Sequence, residues 1–311
     1  MVELHRPVMA REVLQHLVWR SDGTYVDATL GDGGHAALIC SNLKYPGKLI
    51  GLDWDKAALA RAGEQLKAFT DRLTLVHDSY TNLGKVLSDL RLSAIDGILI
   101  DLGASTIQLL DPERGFSFHH ESDLDMRMDR RRSLTARDIV NHYSEEELTT
   151  IFFRYGEERW SKKIAARIIR AREQNGPITD SRQLAELIKE AIPARLRRRG
   201  GHPARKTFQA LRLEVNSELE NIGKLLPQAV GALATRGRIC IISYHSLEDR
   251  LIKKYFREKA MLCSCPPDRP CICERKADLK ILTARAVKPS PEEIESNPRS
   301  RSARLRVAEK L

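Results

Sequence analysis

The segment Tyr25-Val26-Asp27-Ala28-Thr29-Leu30-Gly31-Asp32-Gly33-Gly34-His35 constrains the fold more than any other stretch of the chain. An apolar run closes on a carboxylate, passes into a glycine turn and opens at Ala36 into an amphipathic pattern. Glycines let the backbone take positive φ and approach a ligand with no Cβ in the way, while the next helix presents its free N–H groups. A second apolar run, Lys48-Leu49-Ile50-Gly51-Leu52-Asp53, also ends in a carboxylate, placed to bind both hydroxyls of a ribose. Together these units predict a nucleotide-like ligand at the mouth of a parallel sheet.

Gly31-x-Gly33-x-x-Ala36 satisfies the dinucleotide fingerprint and also the acid-x-x-x-Gly-x-Gly loop of S-adenosylmethionine enzymes. Asp27 favours the methyl donor, because a carboxylate holds the ammonium of a methionine moiety but repels a pyrophosphate.

Short apolar runs at Tyr25 to Leu30, Leu49 to Asp53, Leu73 to His77 and Gly97 to Leu102 alternate with helical patterns and read as a parallel α/β sheet. Helical periodicity then dominates until the next strand, Arg238 to Tyr244, so an all-helical domain is inserted into the sheet. The expected division is 1–106 plus 216–311 for the sheet domain and 107–215 for the insertion. Ser144 with Glu147, and Asp180 with Gln183, mark helix starts. One long helix is expected to carry Phe208, Leu211, Val215, Leu219, Ile222 and Leu226 as a core stripe. Two β-rich pieces, Ile281 to Val287 and Arg304 to Ala308, close the chain.

Lysine and arginine exceed the acids by 52 to 42 in 311 residues, a formal charge of +10. The excess is clustered. Residues 194–212 contain Arg195, Arg197, Arg198, Arg199, Arg205, Lys206 and Arg212 and no acid, and the tail adds Arg299, Arg301, Arg304 and Arg306. A polyanion is the expected partner, with Arg197, Arg198, Arg205, Lys206 and Arg212 as RNA-binding candidates; a solvated basic face is the plainer alternative. No apolar run reaches membrane length and the first residues lack a signal-peptide pattern, so a cytoplasmic protein without a membrane partner is expected.

Two further segments carry chemistry. Gly97-Ile98-Leu99-Ile100-Asp101-Leu102-Gly103 ends a buried strand in a carboxylate at the sheet mouth, where ligands of open α/β sheets bind. Ser243-Tyr244-His245-Ser246-Leu247-Glu248 brings hydroxyls and an imidazole to the next strand end.

These segments, with RGFSF (114–118), LDMRMD (124–129), YGEERW (155–160), HPARKTFQALRLEVNSEL (202–219) and NPRSRSARLR (297–306), span nearly the whole chain in order. The chain resembles the ribosomal RNA small-subunit methyltransferase H family. The resemblance implies a Rossmann-like class I S-adenosylmethionine-dependent methyltransferase sheet with an inserted helical domain. It implies methylation of the exocyclic N4 of a cytidine in the decoding region of 16S rRNA, with the small ribosomal subunit as partner. By resemblance, Gly33, Gly34 and His35 line the methionine end, Asp53 takes the ribose, Tyr80 lies near the adenine, and Asp101 and Gln108 close the pocket. Many amine methyltransferases carry Asp/Asn-Pro-Pro-aromatic after the fourth strand, whereas this chain has Asp101-Leu102-Gly103-Ala104. The proton acceptor is therefore left between Asp101 and the pair His245 and Ser243.

Cys263, Cys265, Cys271 and Cys273 form two Cys-x-Cys pairs, which can make a tetrahedral structural zinc site; reduced thiols, or disulfides formed during handling, are the alternative. Cys40 and Cys240 sit among apolar residues and read as core. The rival readings are an RNA-binding ribosome-assembly module with a vestigial pocket and a nicotinamide dehydrogenase. The oligomeric state is left open, a homodimer included.

Overall fold

A computed structural model describes residues 7–118, 121–197, 201–261 and 276–311. The chain divides into two compact units, Met1–Gly103 with Leu219–Leu311, and Ala104–Glu218.

The first unit is built on a seven-stranded sheet in the order β3-β2-β1-β4-β5-β7-β6. Its strands are β1 (Thr24–Asp27), β2 (Lys48–Asp53), β3 (Leu73–His77), β4 (Ile95–Asp101), β5 (Leu233–Ser243), β6 (Leu279–Ile281) and β7 (Arg304–Lys310). β1 to β5 run parallel, and β7 is antiparallel to both β5 and β6. This is the Rossmann-like class I methyltransferase sheet with a helical insertion between β4 and β5. The order reverses beside β1, which opens a crevice at the carboxyl ends of β1 and β4.

Alternation along the strands explains why both faces are covered. Val26, Ile50, Ile98, Ile100, Ile239 and Ile241 enter one buried cluster, while Tyr25, Leu49, Leu99, Cys240 and Ile242 enter another. Successive side chains point to opposite faces, so a run of apolar residues fits only a strand sandwiched between helices. Cys40 and Cys240 are buried in the second cluster, as the sequence suggests.

The second unit is helical, with Glu145–Gly156, Ser161–Asn175, Ser181–Ala191 and Arg205–Asn216 as its long helices. Ser144 with Glu147 makes a reciprocal capping box, and the Asp180 carboxylate accepts the Gln183 N–H, as their spacing predicts.

Three expectations are corrected. The long helix breaks at Ser217, which takes φ 50°, giving Arg205–Asn216 and Glu218–Ala232. The buried Asn216 amide causes the stop to be specific: its Nδ2 donates to the Met126 carbonyl and its Oδ1 accepts the Met128 N–H, both at 2.8 Å. The sixth strand is shorter than expected, with Val287 making only an isolated bridge to Leu305. Arg304 and Arg306 lie on β7, in the expected β-rich piece, but the basic charge expected of them is paired, their guanidinium groups lying on Asp249 at 3.0 and 2.6 Å.

Among the described residues, no helix is long and apolar enough to cross a membrane. Arg198 and Cys263, Cys265, Cys271 and Cys273 lie outside the described residues.

Candidate active site

The glycine turn is shaped by its backbone. Gly33 takes φ 87° and caps the helix Gly34–Asn42, and a Cβ added there would lie 2.9 Å from Leu66 Cδ1. Any side chain at Gly33 would thus be strained and crowded together.

Asp53, at the end of β2, organises this turn. Its Oδ2 accepts the Gly31 N–H at 2.8 Å and its Oδ1 the Asp55 N–H at 2.8 Å. A carboxylate has about four acceptor sites, so two remain to face a diol. Burial pushes the Asp53 carboxyl up to about 6 despite those two backbone donors.

Next to Asp53, the Trp54 ring stands 5.3 Å from the ring of Tyr80 with a 37° tilt. Tyr80 is buried in the short 3-10 turn that follows β3. The two rings make an apolar wall on which a purine can pack. Trp54 was not singled out in the sequence, although its place directly after the ribose-type carboxylate is the signal that would have found it.

Four polar groups crowd the ends of β1 and β4. Asp27 closes β1 and is buried; its Oδ1 accepts the Thr29 N–H at 3.2 Å, and its Oδ2 has no hydrogen-bond partner. Burial pushes its carboxyl up to about 7; His35 pulls it down, and Asp101 and Asp53 push it further up. His35, in the first turn of the helix Gly34–Asn42, holds its Nε2 3.7 Å from Asp101 Oδ2. Asp101 closes β4, its N–H bonded to Thr29 Oγ1 at 2.6 Å. Tyr244 donates its phenolic hydroxyl to Asp101 Oδ1 at 2.9 Å. Burial first, then the Asp101 charge, hold the Tyr244 phenol well above its ordinary value, so it stays a donor.

The neighbours of Tyr244, expected as acceptors, face other groups. Ser243 is fully buried and its hydroxyl donates to the Arg304 carbonyl on β7 at 3.4 Å. His245 is the N-cap of the helix Ser246–Ala260, where its Nδ1 faces the Glu248 N–H and its Nε2 lies 3.1 Å from Glu248 Oε1. Glu248 returns its Oε2 to the N–H of Tyr244 at 2.9 Å. The residue between Ser243 and His245, Tyr244, carries no sequence signal beyond its place at the strand end, and only the structure sets its hydroxyl against Asp101.

Gln108 lies in the second unit, where its Oε1 accepts the Ser105 N–H at 3.1 Å in a capping box. Of the basic candidates, Arg205 and Lys206 are exposed in the first turn of Arg205–Asn216. Arg197 Nε is held by the Ile192 carbonyl at 2.9 Å. Arg212 pairs with Glu218 through two bonds of 2.8 and 3.0 Å, so its charge is met inside the protein.

A sheet mouth with a glycine turn, a diol-facing carboxylate, an aromatic wall and an unpartnered buried carboxylate oxygen suits an adenosyl amino acid. The family model for MraW methylases matches residues 2–311. The chain belongs to the MraW methylase family. Relatives named ribosomal RNA small subunit methyltransferase H are similar over their full length. That of Halothermothrix orenii is 51% identical over 308 residues, covering 99% of this chain and 98% of that protein. That of Heliobacterium mobile is 49% identical over 309 residues, covering 99% of each. As a MraW methylase the protein uses S-adenosylmethionine, and the donor set fits: Asp27 Oδ2 offers the missing counter-charge for an ammonium, and Gly31, with nothing within 4 Å of where a Cβ would stand, leaves the backbone open to close approach.

Proposed function

We propose that this MraW methylase transfers a methyl group from S-adenosylmethionine to N4 of a cytidine in the decoding region of 16S rRNA in the small ribosomal subunit. The observation that carries the chemistry is the Asp101 carboxylate, with Oδ1 tied to Tyr244 at 2.9 Å and Oδ2 facing His35 at 3.7 Å. The N4 lone pair of cytosine is delocalised into its ring, so an enzyme must orient the amine and accept its proton as charge develops.

When bound, S-adenosylmethionine supplies an electrophilic methyl on a sulfonium. Asp27 Oδ2 holds the ammonium of its methionine part, Asp53 the ribose hydroxyls, and Trp54 with Tyr80 the adenine. Gly33, Gly34 and His35 line the methionine end, while the assignment of Gln108 rests on the resemblance alone. Asp101 Oδ2 accepts an N4 hydrogen and aims the lone pair, and Tyr244 fixes the carboxylate so that this oxygen is the one offered. Arg205 and Lys206 contact RNA phosphates. The relatives' shared name and full-length similarity support the RNA substrate.

Incubation of the protein with small ribosomal subunits and methyl-labelled S-adenosylmethionine, followed by nucleoside mass spectrometry, tests this reading. The expected product is N4-methylcytidine at one position; label on another base, or none, sinks it. The rival assembly-module reading expects no binding of S-adenosylmethionine at all.

A further inference from the structure

The surface that ends the helix Glu145–Gly156 and begins Ser161–Asn175 and Arg205–Asn216 combines one exposed aromatic, Phe153, and two half-buried ones, Tyr155 and Trp160, with unneutralised cations. Gly156 lets the first turn of Arg205–Asn216 approach: a Cβ there would lie 2.8 Å from the Lys206 carbonyl oxygen. Lys206 reaches back to donate to the Glu157 carbonyl at 2.9 Å, so the three helix ends share one surface. On it, Phe153 is 67% exposed, a large apolar area to leave in water. Arg154 lies over the ring of Tyr155 at 5.4 Å, and Lys163 over the ring of Trp160 at 5.0 Å. The buried Glu158 carboxylate accepts the Trp160 N–H at 2.9 Å and holds that residue in place.

Several cations of the same unit are neutralised, although, among the described residues, the exposed Arg170, Arg182 and Arg195 are not. Arg127, Arg131, Arg167 and Arg212 each meet a carboxylate, on Asp125, Asp129, Glu190 and Glu218 respectively. Among the described residues, Arg154, Lys163, Arg205 and Lys206 have no such partner within 4.0 Å.

We infer that Phe153, Tyr155 and Trp160, with Arg154, Lys163 and Lys206, form a docking surface for unpaired RNA. Aromatic rings stack with bases of any sequence while cations track the backbone, which is how single strands are held without base readout. A duplex hides its base faces and offers such rings nothing to stack on. This rests on the rRNA-methyltransferase reading and extends it, giving the helical unit a defined role in holding the strand that carries the target.

The test is fluorescence anisotropy on the full chain with a labelled single-stranded RNA of about 12 nucleotides, within the span such a surface covers. Phe153→Ser and Trp160→Leu should each weaken binding by about tenfold. Arg154→Gln with Lys163→Gln should flatten the salt slope by about 1.4, at about 0.7 per phosphate contact on a single strand. S-adenosylmethionine affinity should stay at wild-type level in all of these and reports an intact fold; the exposed Phe153 position carries the test if Trp160→Leu does not fold. Variants that bind cofactor, yet keep wild-type affinity and slope while the parent binds and methylates RNA, overturn this surface and leave the methyltransferase reading standing. A parent that neither binds nor methylates RNA overturns both. Loss of affinity confined to assembled subunits, with the naked strand unaffected, makes the partner a protein and also overturns it.

Discussion

The phenolic hydroxyl of Tyr244 donates to Oδ1 of Asp101 across 2.9 Å, joining the ends of β5 and β4. Asp101 pairs with Ile242 in the sheet register, so a side chain two residues beyond Ile242 can reach back over the strand end. The contact fixes one carboxylate oxygen and leaves the other for an incoming amine.

Tyr244→Phe should therefore slow single-turnover methylation by about ten- to a hundredfold, the worth of a hydrogen bond to a charged group. Asp101→Asn should cost at least as much. Tyr244 acts through Asp101, so the double variant should be no slower than Asp101→Asn alone. Additive losses would assign Tyr244 a separate role, and a change in substrate KM with kcat intact would make it a binding residue.

His245→Ala should leave single-turnover rates within about threefold of wild type while lowering stability by about 1 kcal/mol, the usual cost of an N-cap. Chemical denaturation checks the second part. A loss of rate near that of Asp101→Asn, with stability unchanged, would return His245 to the chemistry.

The Asp27 carboxyl, pushed up to about 7, makes cofactor affinity depend on pH. Its folded value lies above the unfolded one, so the folded protein binds the extra proton. That contribution to cofactor-free stability is complete below the ordinary value near 3.8 and is lost as pH rises through about 7. An ammonium beside Asp27 favours the ionised form instead, so S-adenosylmethionine should bind more tightly as pH rises towards 7 and release a proton below it. Calorimetry in buffers of different ionisation enthalpy measures the proton; Asp27→Asn should abolish the release. Equal heats across buffers at pH 6 with the native protein would contradict the assignment.

Asp53→Ala should weaken S-adenosylmethionine binding by more than about tenfold, because it removes diol contacts and frees the Gly31 and Asp55 N–H groups that shape the turn. Trp54 supplies the readout, as its fluorescence should change on titration with cofactor. Unchanged affinity would move the ribose elsewhere.

The sequence by itself determined the sheet and its ligand edge. Alternation of apolar runs and helical patterns, a glycine turn after β1 and carboxylates closing β1, β2 and β4 are local signals, written within a few residues of one another and set by backbone sterics and side-chain periodicity. Caps such as Ser144 with Glu147 were legible for the same reason. Tertiary structure decided which charged and polar groups face one another. Arg212, Arg304 and Arg306 look like RNA ligands until Glu218 and Asp249 are brought against them. Only packing shows that the Ser243 hydroxyl faces the Arg304 carbonyl and that His245 caps a helix beside Glu248, and Tyr244 meets Asp101 only when the β5 end is laid beside it, 143 residues away in sequence. A side chain's charge is written in the chain, but its partner is a property of packing, and the partner decides whether that charge is left for a ligand.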